Sequence, residues 1–173
     1  FIAPPQRDAE WDDRGVIGSY RFLNRLWNNI TEFEGHFKNI PDTEIKRDLF
    51  SEETKELYRH INITIKKVTE DIEKSWSFNT AIAAVMELLN MVLDFSAGLR
   101  DKEFINEEVS INDFNVLRLS LESIVKVLAP FVPHICEELW EILGHNPSIF
   151  SVPWPAYDEN AIAADQVEMV IQI

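Results

Sequence analysis

An all-α fold, an antiparallel bundle of about five helices with an extended C-terminal strap, follows from three features of the 173-residue sequence. Apolar residues return at three- and four-residue spacing in successive stretches, the signature of one helix face turned to a core. Prolines fall between those stretches rather than within them. Period-two alternation is confined to the last residues, where Val167, Met169, Ile171 and Ile173 alternate with polar neighbours.

Phe1 to Glu10 reads as an extended lead-in, because Pro4 and Pro5 hold the backbone out of helix. Asp12 or Asp13 caps a first helix predicted to run to about Phe33, its buried stripe drawn through Val16, Tyr20, Leu23, Trp27 and Ile30. The polar segment Gly35 to Phe50, with Pro41, reads as a connection. Ser51 starts a second helix, with Glu52 and Glu53 favourable to its positive dipole end. Its stripe is Leu57, Ile61, Ile65 (or Thr64), Val68 and Ile72; it yields near Ser75, and Ser77 recaps the next.

The third helix, Phe78 to Phe95, is apolar on most sides, which places it at the centre of a bundle, and Gly98 is its expected stop. Ser110 with Asp113 makes a capping-box-like start for a fourth, whose stripe is Phe114, Leu117, Leu121, Ile124 and Leu128. A fifth runs from Pro133 to Leu143 and closes at Gly144. The aromatic and proline-rich SIFSVPWPAYD then reads as a strap packed on the bundle. Because the chain opens on Phe1, it is expected to be a segment of a longer polypeptide.

Composition narrows the function. Hydrophobic residues make up 46% and charged residues 27%, as in a globular domain with a real core. A single cysteine, Cys136, excludes an internal disulfide framework. The longest apolar candidate for a span, Ile124 to Cys136, is interrupted by Lys126, Pro130 and Pro133, so no membrane segment is expected. Net charge is −14, which argues against a general nucleic-acid binder. The charge is nonetheless uneven. Up to Trp76 there are 12 Lys/Arg against 15 Asp/Glu, and from Ser77 onward 4 against 15. An anion-binding surface therefore has to come from the first half.

Two rows of side chains suit such a surface. Arg14, Arg21, Arg25 and Asn28 share one face of the first helix, with Gly18 among them; Lys55, Arg59, Asn62 and Lys66 share a face of the second, with Lys67 beside it. Guanidinium and ammonium donors held on a rigid helix meet a phosphate backbone at fixed spacing. Each residue taken singly is better explained as a solvated charge or an intrahelical pair with a nearby Glu; only the row as a set points to docking. Catalytic patterns are lacking: no glycine-rich phosphate loop is present, and His36, His60, His134 and His145 are scattered. His134, Cys136 and Glu138 share a short helix, but His134 and Cys136 point about 200° apart and no second cluster completes a metal site. Trp27, Trp140 and Trp154 fall where core or strap anchors belong, while Trp11 and Trp76 lie near helix boundaries. The sequons at Asn29 and Asn62 fall inside predicted helices and read as chance matches.

FIAPPQRDAEW, GSYRFLNRLW, TIKKVTEDIE, SFNTAIAAVMELLN, LAPFVPHICEELWEILG and VPWPAYDENAI together resemble the helical, anticodon-binding-type domain of bacterial-type leucyl-tRNA synthetases, class I aminoacyl-tRNA synthetases. The LAPFVPHICEELW segment is shared more widely, so the valyl and isoleucyl enzymes are the near alternatives. A helical protein-interaction module is the alternative outside the class. The resemblance implies residues 1–11 leading in from a catalytic core, a bundle over 12–145, a strap over 146–165, and the start of a truncated C-terminal domain at 166–173. It implies docking of tRNA(Leu) by backbone contacts, without reading of the anticodon, through Arg14, Arg21, Arg25, Asn28, Lys55, Arg59, Lys66 and Lys67. ATP and leucine would be used at the parent's core. The HIGH-type and KMSKS-type motifs are absent, so this segment alone is expected to hold no catalytic residue, cofactor or metal. A cytoplasmic parent without membrane or DNA partners is expected.

Overall fold

The computed structural model describes residues 13–41, 43–100 and 108–163. Within them the chain forms α1 (Asp13–Asn39), α2 (Glu52–Glu70), α3 (Phe78–Leu99), α4 (Glu108–Leu128), α5 (Pro133–Ile142) and a short α6 (Glu159–Ala163). Single 3₁₀ turns occupy Arg47–Leu49 and Ile149–Ser151, and one π turn, Asp71–Ser75, ends α2. The predicted alternation at Val167 to Ile173, like Asp12 and Trp11, lies outside the described residues.

Consecutive helices reverse direction, which leaves α1 and α3 side by side and parallel. Arg25 donates to Asn90, Asn29 to Ser96 and Arg100 to Glu32, at sequence separations of 65, 67 and 68. A near-constant offset is what two parallel helices give. Helices α3 and α4 share the middle; α2 packs on one side of them, and α1 with α5 on the other.

The core face of α1 differs from the predicted stripe. Phe22, Leu26, Asn29, Ile30, Phe33 and Phe37 are buried, whereas Val16 and Tyr20 are exposed and Leu23 and Trp27 only half-buried. At 3.6 residues per turn, Val16 and Tyr20 lie roughly 100° from the face that Phe22 and Leu26 define. The mean direction of a long stripe is set by its most buried aromatics, and those continue beyond Phe33. For the same reason α1 extends through Gly35 to Asn39, followed by buried Ile40.

Helix α2 follows its pattern. Ser51 accepts from the Thr54 backbone N–H at 3.0 Å, and Leu57, Ile61, Ile65 and Val68 are buried. Trp76 then adopts a left-handed conformation, φ 53°, and Ser77 precedes α3. Gly98 is not the stop: α3 runs through it to Leu99. Among the described residues α3, rather than Ile124 to Cys136, is long and apolar enough to cross a bilayer by composition, with mean hydropathy 1.6 over its best window. Its Ala81, Val85, Leu88, Leu89 and Val92 are instead buried against protein neighbours. At the far end of α5, Gly144 takes φ 99°, as expected for a helix-closing glycine.

The start of α4 also departs from expectation. Glu108 already stands in the helix, so Ser110 is internal, and Asp113 accepts from the Thr54 hydroxyl at 2.8 Å instead of capping. Around it α4 buries a polar strip. Asn112 bonds both backbone groups of Lys46, at 2.8 and 3.1 Å, and Asn115 donates to Pro41 O and Thr43 Oγ1. Arg118 donates to the carbonyls of Phe37 and Ile40 and lies over the Phe37 ring. Replacing Arg118 by Met should cost about 2–4 kcal/mol, because it strands buried acceptors at the end of α1; urea denaturation of the chain measures it.

Candidate nucleic-acid interface

The two predicted cation rows occupy different edges of the bundle, because α1 packs on α3, α4 and α5 while α2 packs on α3, α4 and α6. On the α1 edge, Arg21 is exposed and has no partner among the described residues. Arg25 is exposed and donates to the neutral Asn90 side chain at 2.7 Å. Asn28 is exposed, and Arg14 is exposed with an internal partner. A Cβ at Gly18 would meet nothing within 4 Å, so packing inside the fold does not demand glycine there. The edge is fixed in rotation by the buried Asn29–Ser96 bond, 2.8 Å, which lies on its inner side.

The α2 edge is largely engaged within the molecule. Lys66 donates to both carboxylate oxygens of Glu159, at 2.9 and 3.0 Å, and stands 5.7 Å from the Tyr157 ring. Lys67 pairs with Asp71 one turn on, at 2.9 Å. Arg59 is half-buried and has an internal partner; Asn62 is buried and accepts from the Asp158 backbone N–H at 2.8 Å. Lys55 remains exposed and unpaired among the described residues.

Arg47, in the segment that the sequence marks as a connection with room for a short helical turn, joins this edge from the 3₁₀ turn Arg47–Leu49. It pairs with Asp158, donates to Tyr58 Oη at 3.0 Å and lies over the Tyr58 ring. With Lys55, Tyr58 and Arg59 it lines a cleft of about 150 Å³. The Arg47 guanidinium, with the Asn160 N–H, holds the Asp158 carboxyl below its ordinary range. In turn the Glu159 carboxylate holds the Lys66 ammonium above its own. No periodicity marks Arg47 in the sequence; only its closeness to the Ser51 cap places it near α2.

The strap packs as expected. Trp154 donates to Thr69 Oγ1 at 2.8 Å, and Ile149 and Ala161 are buried. Trp140 is buried, donates to Pro147 O and stacks on His145, whose Nε2 lies 2.8 Å from Glu122. Trp76 is 64% exposed. His134 is exposed while Cys136 is fully buried, and no trio of metal-ligating side chains meets among the described residues. Asn29 and Asn62 are both buried, which closes them to glycans.

The guanidinium groups of Arg14, Arg21 and Arg25 share one exposed edge of a helix packed into an all-α bundle. Residues 54–173 match the family described as the anticodon-binding domain of tRNA ligase, and the chain belongs to that family. Along its whole length it is 44% identical to a leucine–tRNA ligase of Desulforapulum autotrophicum and 42% identical to that of Thermosipho melanesiensis. It spans only about a fifth of those relatives, 19% and 20% of their lengths. Among solved structures it is similar to the leucyl-tRNA synthetase of Agrobacterium radiobacter K84, crystallised as a ternary complex with tRNA and LeuAMS. The TM-score is 0.69 at 31% identity, covering 89% of this chain and 18% of that one. All of α1, with its arginine row, lies outside the family match but inside the matches to the relatives, which cover the whole of this chain.

Burial pushes the Cys136 thiol up to about 12. At pH 8 only roughly one molecule in ten thousand then carries the thiolate. Cys136 should therefore resist iodoacetamide in the folded chain and react on unfolding, as mass spectrometry of the alkylated protein will read.

Proposed function

We propose that the chain is the tRNA-docking domain of a leucyl-tRNA synthetase and holds tRNA(Leu) by its backbone while the parent attaches leucine using ATP elsewhere. The observation that carries this reading is the α1 edge: among the described residues Arg21 has no partner and Arg25 bonds only to a neutral amide, on a helix whose rotation is locked. A guanidinium left open in an acidic domain is available to phosphate at little cost. Family membership and the printed tRNA in the similar complex support the partner.

In this reading Arg14, Arg21, Arg25 and Asn28 form the docking row. Lys55 and Arg59 offer a second, weaker contact, and Lys66 and Lys67 stand back because carboxylates already hold them. Such contacts fix register and carry no sequence information, so the domain positions the RNA and leaves the anticodon unread. The bundle's other partners are the catalytic core and the C-terminal domain of the parent, which acts in the cytoplasm.

Changing Arg21 and Arg25 together to Glu in the full-length enzyme should lower tRNA affinity by tenfold or more, on the order of two lost charge-assisted contacts. Leucine-dependent ATP–pyrophosphate exchange should be unchanged, and an unaltered tRNA affinity would remove the row from the interface. The 173-residue domain alone should bind tRNA weakly, its affinity falling steeply with salt in a filter-binding titration.

A further inference from the structure

Asp158 and Glu159, at the end of the strap, stand where phosphates would stand on the α2 edge. Asp158 accepts from Arg47, and Glu159 accepts from Lys66 through both oxygens. Carboxylates and phosphodiesters compete for the same donors. We infer that Asp158 and Glu159 serve as an internal counter-anion that masks Arg47 and Lys66 from an RNA backbone, leaving the α1 edge as the open docking surface. The inference rests on the tRNA-docking reading above and adds to it a device that chooses between two basic edges.

Three observations carry it. The first is that the strap does not need these ion pairs to stay in place. Trp154 bonds Thr69, Asn62 takes the Asp158 backbone N–H, and Ile149 and Ala161 are buried. Against those contacts an exposed ion pair adds only ~0–1 kcal/mol. The second is that each pair has an accessible member: Glu159 is 63% and Arg47 51% exposed in their side chains, while Lys66 and Asp158 are half-buried. They hold charges in solvent rather than fixing a core. The third is the contrast between the edges. Among the described residues Arg25 meets a neutral amide and Arg21 nothing, whereas Arg47 and Lys66 on the α2 edge each meet a carboxylate from a segment more than 90 residues away in sequence. Local i,i+4 pairing, as at Lys67 and Asp71, is a common surface feature; a strap delivering two successive acids onto two cations is not.

The chemistry of masking is electrostatic and reversible, with no bond made or broken. Unmasking would leave Arg47, Lys55 and Arg59 together around the cleft, with Lys66 about two turns further along α2. An RNA backbone would then have a second place to settle, away from the orientation that the α1 row imposes.

The test is a double-mutant cycle in the full-length enzyme, with bulk tRNA as the probe and affinity read over a series of salt concentrations. Asp158→Asn with Glu159→Gln should raise affinity about threefold or more at low salt and steepen the salt slope by roughly one to two, the value for one or two added phosphate contacts. Arg47→Met with Lys66→Met should leave the native enzyme within about twofold, yet abolish the gain in the Asn/Gln background. Glu138→Gln with Glu141→Gln on α5 changes net charge equally and should give no such gain. Thermal melts establish that each variant is folded, and Glu159→Gln alone, with half the steepening, replaces the pair if the double variant unfolds. The inference is overturned if the Asn/Gln variant gains nothing, if the α5 control gains as much, or if removing Arg47 and Lys66 weakens the native enzyme. Failure of the docking reading itself would show separately, as unmodified enzyme whose tRNA affinity ignores Arg21 and Arg25.

Discussion

The polar strip buried along α4 is the constraint on which the arrangement of helices depends. A helix in the middle of a bundle ordinarily presents apolar groups on every side, yet α4 buries Asn112, Asp113, Asn115 and Arg118 near its start. Buried polar groups without partners cost several kcal/mol together, so each has to find one. They find them on the connection between α1 and α2: the carbonyls of Phe37 and Ile40, Pro41 and Thr43, both backbone groups of Lys46, and the Thr54 hydroxyl. That connection is thereby tied to α4 at several points among the described residues. It fixes the end of α1 and the first turn of α2 at once, and with them the directions in which the two cation rows face.

From that anchor the two edges acquire opposite characters. Along α1 the neighbour is α3, which supplies amides and hydroxyls: Asn90 to Arg25, Ser96 to Asn29. Along α2 the neighbour is the strap, which ends in Asp158 and Glu159. Arg21 and Arg25 meet no carboxylate among the described residues, whereas Arg47 and Lys66 are each neutralised by one that the strap packs beside them. A net charge of −14 describes neither edge.

How much of this was legible follows from where the information resides. Helix α2, the Phe114–Leu128 stripe of α4, the Gly144 turn and the strap anchors could be read because local pattern and tertiary burial agree there. The face of α1 could not, since Val16 and Tyr20 continue an apolar periodicity that no neighbour reaches. The start of α4 was misread because Ser110 and Asp113 form a local capping pattern, whereas Asp113 answers to Thr54, 59 residues away. The candidate site shows the same division. Sequence placed the arginines of α1 on one face. The partners of Lys66 and Lys67 and the arrival of Arg47 depend on other segments, or on rotamers that periodicity does not contain.

On the docking proposal, an acidic domain gains from having few open cations rather than many. Exposed charges are screened over about 8–10 Å at physiological salt, so a phosphate backbone senses the arginine row only at close range and the acidic surface beyond it as repulsion. A broad basic face would hold RNA tightly in many registers. A short row on one rigid helix holds it weakly, and only where phosphates and guanidinium groups coincide, so orientation and not affinity becomes the quantity the fold controls. Masking the α2 edge serves the same end, because a second open edge would add affinity while subtracting orientation. The buried Asn29–Ser96 bond then matters as much as the arginines themselves: a rotation of α1 by one residue's worth, about 100°, would turn the row out of line while leaving every charge in the molecule unchanged.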